Sequence, residues 1–183
     1  MKPYSLRSER LVLDQPTADD RDAITEYCRD PLFETFMTLP WPYEPWHANY
    51  FVELHVPQGW ESGGELTWAL RDESGGPLLG VISWRSERND IGYWIGAPHR
   101  GKGYMTEAVA AVTAHLFSEF ALAEVGWECV VGNAASAAVA RKTGFRYSGV
   151  APTDLAFRDG THPLVWHAIL TAGDTTEKAG WPQ

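Results

Sequence analysis

The chain has 183 residues, a length that suits one domain, and its 24 acidic and 15 basic residues give a formal net charge of −9. Such acidity argues against nucleic acid and anionic membranes as partners. The two cysteines, Cys28 and Cys129, are too few and too far apart for a disulfide framework or a zinc site, and we expect no metal. Without a signal-peptide pattern or a membrane-spanning apolar run, the sequence predicts a cytoplasmic protein.

The first third of the chain predicts one strand and two helices. Apolar and polar residues alternate over 10–15, which predicts a strand, and the next segment favours a helix that ends before Pro31. Residues 31–60 are rich in aromatic residues and proline, and a short helix over 46–55 is predicted among them. This aromatic segment is the least regular part of the pattern.

The rest of the chain predicts a meander of strands followed by alternating helices and strands. In chain order these are strands over 66–71, 77–85 and 90–97, a helix over 103–120, a strand over 125–131, a helix over 134–143, and strands over 145–150 and 163–170. This order predicts a mixed α/β layer architecture. We expect one domain over residues 1–172 and a polar, loosely held C-terminal tail over 173–183.

A glycine-rich loop joins a predicted strand to a predicted helix between Gly96 and Gly103. Backbone N–H groups converge in such a loop, and the helix N-terminus adds a positive dipole, so the pattern favours phosphate binding; any tight turn would also need glycine. The spacing Gly96-x-x-x-x-Gly101-Lys102 matches a Walker loop. However, Gly103 replaces the hydroxyl residue that binds magnesium, and Pro98 removes a donor. Nucleoside triphosphate hydrolysis is therefore disfavoured.

The same loop carries a resemblance to a known family. The run Arg100-Gly101-Lys102-Gly103-Tyr104-Met105 resembles the Arg/Gln-x-x-Gly-x-Gly/Ala loop of the GNAT superfamily of acyl-CoA N-acyltransferases, with methionine at the last position. Together with Thr106-Glu107-Ala108, it is similar to the branch of RimJ and RimL, the ribosomal-protein N-terminal acetyltransferases. Further segments resemble that branch in order: Ser8-Glu9-Arg10-Leu11-Val12-Leu13, Ile91-Gly92-Tyr93-Trp94-Ile95-Gly96, and Asn133-Ala134-Ala135-Ser136 with Lys142-Thr143-Gly144-Phe145. The resemblance is loose over 31–64.

The resemblance implies an α/β fold with a GNAT-like, mostly antiparallel central sheet, helices on both faces and a splayed strand pair that binds acyl-CoA. Residues 93–95 would pair with the pantetheine arm, and the N–H of Ile95 or its neighbour would face the thioester carbonyl. Asn133 would hydrogen-bond the same arm, or serve only as a helix N-cap. The implied CoA-binding residues are Tyr93, Trp94, Ile95, Arg100, Gly101, Lys102, Gly103, Tyr104, Met105, Asn133 and Ser136.

Two residues are the candidates for catalysis. Glu128 is the candidate base, since the branch often carries a glutamate on this strand and desolvation in an apolar strand suits it to accept a proton. An ordinary strand glutamate is the alternative. Ser136 would protonate the departing CoA thiolate, or a tyrosine such as Tyr104 or Tyr147 would do so. Ser136 is otherwise a helix cap or a solvated serine.

The aromatic residues Trp41, Tyr43 and Trp46 fall where the family places its acceptor-binding helices. They would wall a slot for an ammonium group, although packing over the sheet explains them equally well. The implied activity is transfer of an acetyl group from acetyl-CoA to a primary amine, on a peptide N-terminus or a small molecule, by direct attack in a ternary complex. A non-catalytic acyl-CoA-binding regulatory module is the alternative. Longer acyl groups, the acceptor and a homodimer remain open.

Overall fold

The computed structural model describes residues 1–174 and 176–182. In this part of the chain eight strands form one sheet: β1 (Leu6–Arg7), β2 (Val12–Asp14), β3 (Glu65–Arg71), β4 (Gly80–Arg85), β5 (Asp90–Ile95), β6 (Glu124–Val130), β7 (Arg146–Pro152) and β8 (Leu164–Thr171). Their spatial order is β1-β2-β3-β4-β5-β6-β8-β7. The pairs are antiparallel except β5 and β6, which run parallel.

The helices follow the predicted positions after residue 100, the first predicted helix is also present, and residues 31–62 differ from the prediction. Their bounds are α1 (Arg21–Tyr27), α2 (Pro31–Phe36), α3 (Pro45–Tyr50), α4 (Val56–Ser62), α5 (Tyr104–Glu119) and α6 (Ala134–Lys142). Helix α2 was not predicted, although Asp30 caps it by accepting from the Leu32 N–H at 2.9 Å and Pro31 suits the first helical position. Among the described residues no helix is long and apolar enough to cross a membrane.

The helix predicted over 46–55 extends further than expected. Helix α3 continues through a π-helical turn, Phe51–His55, directly into α4. Pro57 lies one residue into α4, where it has no N–H for the carbonyl four residues earlier and its ring crowds that carbonyl. A wider turn before the proline relieves this conflict, so the proline changes the helix without ending it.

Two hydrophobic cores lie on opposite faces of the sheet. Successive side chains of a strand point to opposite faces, and on β3 the residues Leu66, Trp68 and Leu70 join the larger core with α4, α5 and α6. Between them, Ala69 joins the smaller core with α1, α2 and α3. Helices therefore cover both faces, and the predicted mixed fold with a mostly antiparallel sheet is confirmed.

Strands β5 and β6 separate after a short contact. Their register pairs Asp90 with Gly126 and Ile91 with Trp127, whereas β5 runs on to Ile95. The sheet therefore opens between the carboxyl ends of these two parallel strands. This gap is the splayed strand pair that the resemblance implied.

Part of the C-terminal segment packs against strands β6 and β7 of the sheet. Trp181 lies edge-on to Trp127 with ring centroids 5.5 Å apart, and its centroid lies 5.8 Å from that of Tyr147. The predicted tail over 173–183 is thus held at Trp181, while Thr175 and Gln183 lie outside the described residues. The domain boundary at residue 172 stays a prediction.

Candidate active site

The gap between β5 and β6 opens into a cavity of about 630 Å³. Most of the predicted site residues line it: Tyr93, Trp94, Ile95, Arg100, Gly101, Gly103, Tyr104, Met105, Glu128, Asn133 and Ser136. Lys102, Trp41, Tyr43 and Trp46 are not among the lining residues. The structure thus brings together residues from four separate segments of the sequence.

The register of β5 decides which backbone groups face the gap. The N–H of Gly96 donates to the Leu79 carbonyl at 2.9 Å, and β4 and β5 pair in antiparallel register. Backbone groups alternate between the two sides of a strand, so Trp94 bonds toward β4. Tyr93 and Ile95 aim their N–H and C=O groups toward β6, across the gap. Of residues 93–95, these two offer free backbone pairing to a ligand.

The glycine cradle, defined as residues 96–103 with the first turns of α5 and α6, forms one end of the cavity. Gly101 and Gly103 have φ angles of +75° and +80°, a left-handed conformation that favours glycine. No heavy atom lies within 4 Å of the position that a Gly101 Cβ would take. Gly103 directly precedes α5, whose first N–H groups have no intrahelical partner. The cradle can therefore bind an anion through backbone donors.

Glu107 supports this cradle from behind. Its carboxylate accepts from the Ser8 hydroxyl at 2.6 Å and from the Arg10 backbone N–H and Nε at 2.7 Å each. Arg10 Nη1 in turn donates to the Lys102 carbonyl at 3.0 Å. Burial opposes ionisation of Glu107, but these hydrogen bonds outweigh it and lower the pKa of the carboxyl below its ordinary value. Lys102 thus contributes its backbone to this support, and its side chain is exposed.

The cradle is also tied to the corner between α1 and α2. Arg100 Nη1 lies 2.8 Å from Asp30 Oδ2, the carboxylate that caps α2. His99 Nε2 hydrogen-bonds the Tyr27 hydroxyl at 2.9 Å. Burial, together with the charge of Lys102, lowers the pKa of His99, which favours a neutral imidazole at neutral pH. These two contacts connect the corner to the cradle.

A tyrosine and a serine meet at the start of α6. Asn133 caps this helix by accepting from the Ser136 N–H at 3.1 Å. The Tyr93 hydroxyl donates to the Ser136 carbonyl at 2.9 Å and accepts from Ser136 Oγ at 3.2 Å. Burial raises the pKa of Tyr93, so its hydroxyl stays protonated. Sequence reasoning named Tyr104 and Tyr147 as alternatives to Ser136; Tyr93 was expected to act only through its backbone.

Glu128 lies where the gap begins, directly after the last residue of β6 that pairs with β5, and its surroundings are more polar than expected. Its Oε1 accepts from the Thr153 hydroxyl at 2.9 Å and lies 2.9 Å from Arg88 Nη2. Its Oε2 lies 3.8 Å from His167 Nδ1, and 12% of the side chain is exposed. Over residues 125–130 the strand itself is otherwise apolar, as expected, but the Glu128 side chain meets charged and polar groups from other segments. Arg88 and Thr153 come from distant turns, and no sequence pattern links them to this strand.

Arg85 and Arg88 share one buried carboxylate beside Glu128. Arg85 contacts both oxygens of Asp90, through Nε at 2.7 Å and Nη2 at 2.9 Å. Arg88 Nε lies 3.0 Å from Asp90 Oδ2. Because Asp90 is almost fully buried, these contacts fix both guanidinium groups, and that of Arg85 lines the cavity. In the described residues no group of three or more side chains is arranged to hold a metal ion.

The roof, defined as α2 with residues 153–163, covers the cavity above Glu128. Arg158 binds the two parts together by donating to the carbonyls of Glu34, Met37 and Leu39. Phe33 packs on Trp94 with ring centroids 5.8 Å apart. The apolar residues that the roof turns to the cavity are Leu32, Phe33, Phe36, Met37, Leu155 and Phe157. None of them was predicted as a site residue, because α2 was not recognised as a helix and Leu155 and Phe157 lie in an irregular segment with no periodic pattern.

The three aromatic residues predicted to bind the acceptor lie elsewhere. Tyr43 is buried in the smaller core, and Trp41 packs against that core. Trp46 projects from α3 with 63% of its surface exposed. Helix α2 occupies the place over the sheet that was expected for them, so Trp41 and Tyr43 fit the packing alternative.

Comparisons with known proteins agree with this geometry. A family described as "Acetyltransferase (GNAT) domain" matches residues 10–146. The "Putative ribosomal N-acetyltransferase YdaF" of Bacillus subtilis (strain 168) is 34% identical over 100 residues, which cover 52% of this chain and 55% of YdaF. The ribosomal-protein-serine acetyltransferase of Escherichia coli (strain K12) is 32% identical over 77 residues, which cover 39% of this chain and 43% of that enzyme. The chain thus aligns with about half the length of these curated relatives.

Solved structures show the same fold at low sequence identity. RimL, a ribosomal L7/L12 alpha-N-protein acetyltransferase in complex with coenzyme A, superposes with a TM-score of 0.77 at 19% identity. The match covers 92% of this chain and 98% of RimL. Mycobacterium smegmatis RimJ in complex with CoA-disulfide gives a TM-score of 0.75 at 19% identity, and the match covers 93% of this chain and 87% of RimJ. Because the family match covers well over half of the sequence, this chain belongs to the GNAT acetyltransferase family.

Proposed function

We propose that this chain transfers an acetyl group from acetyl-CoA to a primary amine by direct attack within a ternary complex. One observation carries the proposal: a single cavity runs from the glycine cradle, through the gap between β5 and β6, to the carboxylate of Glu128. It therefore joins an anion site, an open strand edge and a proton acceptor. Related folds with acetyl-CoA or CoA bound support the choice of co-substrate.

The cradle and β5 would hold the co-substrate. The N–H groups at Gly101, Gly103 and the first turn of α5 suit the pyrophosphate, since backbone donors and the helix dipole both favour an anion. Tyr93 and Ile95 would pair with the pantetheine amides as a missing strand would. The residues present therefore fit the group that the family implies.

Glu128 would accept the proton of the incoming amine, directly or through one water. The amine nitrogen then forms a bond to the thioester carbonyl carbon, and the Ile95 N–H stabilises the negative charge on its oxygen. One fixed donor at this position contributes about 3–4 kcal/mol to such a step. Arg88 and Thr153 hold the Glu128 carboxylate in place by contacts to the same oxygen.

Ser136 and Tyr93 would supply the proton for the departing thiolate. When the carbon–sulfur bond breaks, the sulfur takes a proton from one of these hydroxyls. Burial raises the pKa of Tyr93, so its hydroxyl stays protonated, and the Ser136 hydroxyl donates to it. The names of the ribosomal-protein relatives favour a protein N-terminus among the acceptors.

A thermal-shift series tests the co-substrate first. The purified chain is heated with acetyl-CoA, succinyl-CoA, free CoA or Mg-ATP, each at about a hundred times its dissociation constant. Binding stabilises the fold by about 2.7 kcal/mol, which raises the Tm by about 5–10 °C at this size. We expect shifts with the CoA species and none with Mg-ATP. A shift with Mg-ATP alone would contradict the proposal.

A thiol assay then separates an enzyme from a binding module. Amine-dependent release of free CoA from acetyl-CoA is expected from the transferase. Acetyl-CoA binding without thiol release, across peptide and small-molecule amines, would support the non-catalytic regulatory module instead. Succinyl-CoA in the same assay decides the acyl group.

A further inference from the structure

We propose that the acceptor is a monoamine whose amino group adjoins a large apolar group, such as an aromatic ring or a branched alkyl chain. This inference rests on the function proposed above, because it treats Glu128 as the group that meets the amine. The same chemistry occurs in free hydrophobic amines and in peptides that begin with an aromatic or branched residue. The experiment below distinguishes these two sources.

The acceptor would approach Glu128 from the side of the roof. On β6, Trp127 and Cys129 belong to the larger core beneath α5 and α6. Glu128 lies between them in sequence, so its side chain points to the opposite face. That face carries Trp94 and α2. An amine near Glu128 therefore has the roof around its substituent, while the cradle lies at the other end of the cavity.

The roof offers this substituent an apolar surface. Leu32 is 49% exposed, and Phe36, Met37, Leu155 and Phe157 are half-buried around the cavity. Apolar side chains left partly exposed in a concave site gain stability when a ligand removes them from water. A polar substituent would lose its hydration there without new hydrogen bonds. The side chains of the roof thus select for an apolar neighbour of the amine.

The charges beside Glu128 select against a second positive group. Asp90 already has both oxygens in contact with Arg85 and Arg88, and Glu128 itself is paired with Arg88. Arg85 lines the cavity at the same end. Among the described residues that line the cavity Glu128 is the one carboxylate, and Asp154, whose charge acts on Arg88, is exposed and is not part of the lining. A second ammonium of a polyamine or an aminoglycoside would therefore meet the Arg85 guanidinium inside the cavity without a second carboxylate there. The net charge of −9 on the whole chain therefore does not extend to this part of the site.

The roof also fixes the distance between its apolar side chains and the Glu128 carboxylate. Thr153 donates to Glu128 Oε1, and its oxygen accepts from the Leu155 N–H at 3.1 Å. Five residues beyond Thr153, Arg158 binds carbonyls at the end of α2. The apolar wall and the carboxylate are thus connected through one short segment, and the acceptor is recognised by both at once.

The test compares acceptors at saturating acetyl-CoA in the thiol assay. Phenethylamine is compared with ethanolamine and putrescine, and peptides that begin with Phe are compared with otherwise identical peptides that begin with Ser or Lys. We expect kcat/KM to be at least tenfold higher for the apolar member in one or both sets. A higher value in the first set alone identifies a free amine, and in the second set a peptide. Equal or higher values for the polar or dicationic acceptors would overturn the proposal.

Two variants locate the preference in the roof. Phe157→Ala and Phe36→Ala are each expected to reduce the ratio of apolar to polar kcat/KM by about tenfold. Tyr50→Ala removes an exposed aromatic ring of α3 outside the cavity and should leave the ratio unchanged. The acetyl-CoA thermal shift confirms that each variant is folded. An unchanged ratio in both folded roof variants would overturn the proposal.

The two proposals fail in different ways. If acetyl-CoA raises the Tm and only polar amines release CoA, the acceptor class is wrong and the transferase stands. If acetyl-CoA gives no shift and no acceptor releases CoA, the proposed function fails and the acceptor class fails with it.

Discussion

The glycine cradle and the roof meet in one cavity but are built in different ways. Most of the cradle comes from one continuous segment, residues 96–103 with the first turn of α5, and the first turn of α6 completes it. It acts through backbone groups whose positions depend on glycine and on a helix start. The roof comes from α2 and residues 153–163, which are more than a hundred residues apart in sequence, and acts through side chains. Recognition through the backbone leaves a local sequence motif, whereas a side-chain wall assembled from distant segments leaves none.

The two regions also differ in what holds them. Glu107 and Arg10 support the cradle with hydrogen bonds between charged groups. Arg158 holds the roof by its contacts to backbone carbonyls of the α2 end. Arg100 and Asp30 connect the regions, since one belongs to the cradle and the other caps α2. Variants can therefore affect either region separately.

The largest expected effect lies at Glu128, between the two regions. Glu128→Gln keeps the shape and hydrogen bonds of the side chain but cannot accept a proton. We expect kcat to fall about 10²–10⁴-fold, the usual contribution of a general base, with acetyl-CoA affinity nearly unchanged. Glu124→Gln, at an exposed position of the same strand, is the control. Wild-type turnover in the Glu128 variant would remove this residue as the base.

Gly101→Ala should affect the cradle alone. Alanine at a φ of +75° costs about 1–2 kcal/mol, so the loop shifts its N–H groups and acetyl-CoA binds roughly tenfold more weakly. Gly75→Ala is a matched control, because Gly75 has a φ of +72°, no heavy atom lies within 4 Å of the position that its Cβ would take, and its turn does not line the cavity. Calorimetric titration with acetyl-CoA measures both variants. Equal affinity in all three proteins would show that the cradle does not use this backbone position.

Thr153→Val should affect the link between the roof and Glu128. Valine keeps the shape of threonine but removes the hydrogen bond that favours the charged carboxylate. We expect a several-fold lower kcat with acetyl-CoA affinity nearly unchanged. Thr153→Ser should restore kcat, since it retains the donor.

Thr113→Val provides the control for this effect. Thr113 is equally buried, and its hydroxyl donates to the Val109 carbonyl within α5. The kcat of this variant should match that of the wild type. If the two valine variants lower kcat equally, Thr153 has a structural role only.

The smallest effect is expected at Glu107, behind the cradle. Glu107→Gln weakens the hydrogen bonds to Ser8 and Arg10 and lowers the free energy of unfolding by about 1 kcal/mol. The Tm at pH 7 is therefore expected to fall by about 2–4 °C. The folded pKa of Glu107 is lowered, so its stabilisation is present above the unfolded value and is lost as pH falls through the folded value. The difference in Tm between the wild type and the Glu107 variant should therefore disappear below about pH 4. Glu119→Gln on the same helix should show no such pH dependence.

The sequence predicted the second half of the fold more accurately than the first. The apolar spacing of α5 and the glycine after α6 placed those helices within one or two residues. Helix α2 is only six residues long, and its aromatic side chains gave no helical period, so it was missed. Glu128 was placed in the cavity from its strand position. Its partners Arg88 and Thr153 could not be predicted, because strand register alone brings them together.

The short contact between β5 and β6 has a consequence for how the molecule opens. The sheet consists of strands β1 to β5 and of the group β6, β8 and β7. These two groups are joined by the pairing of β5 with β6, which involves two residues of each strand. In the free protein these two groups should act as separate cooperative unfolding units in native-state hydrogen exchange. A ligand that fills the gap would bridge them as a ninth strand. The amides of Tyr93 and Ile95 would then change from fast exchange to the slow exchange of the globally unfolding core.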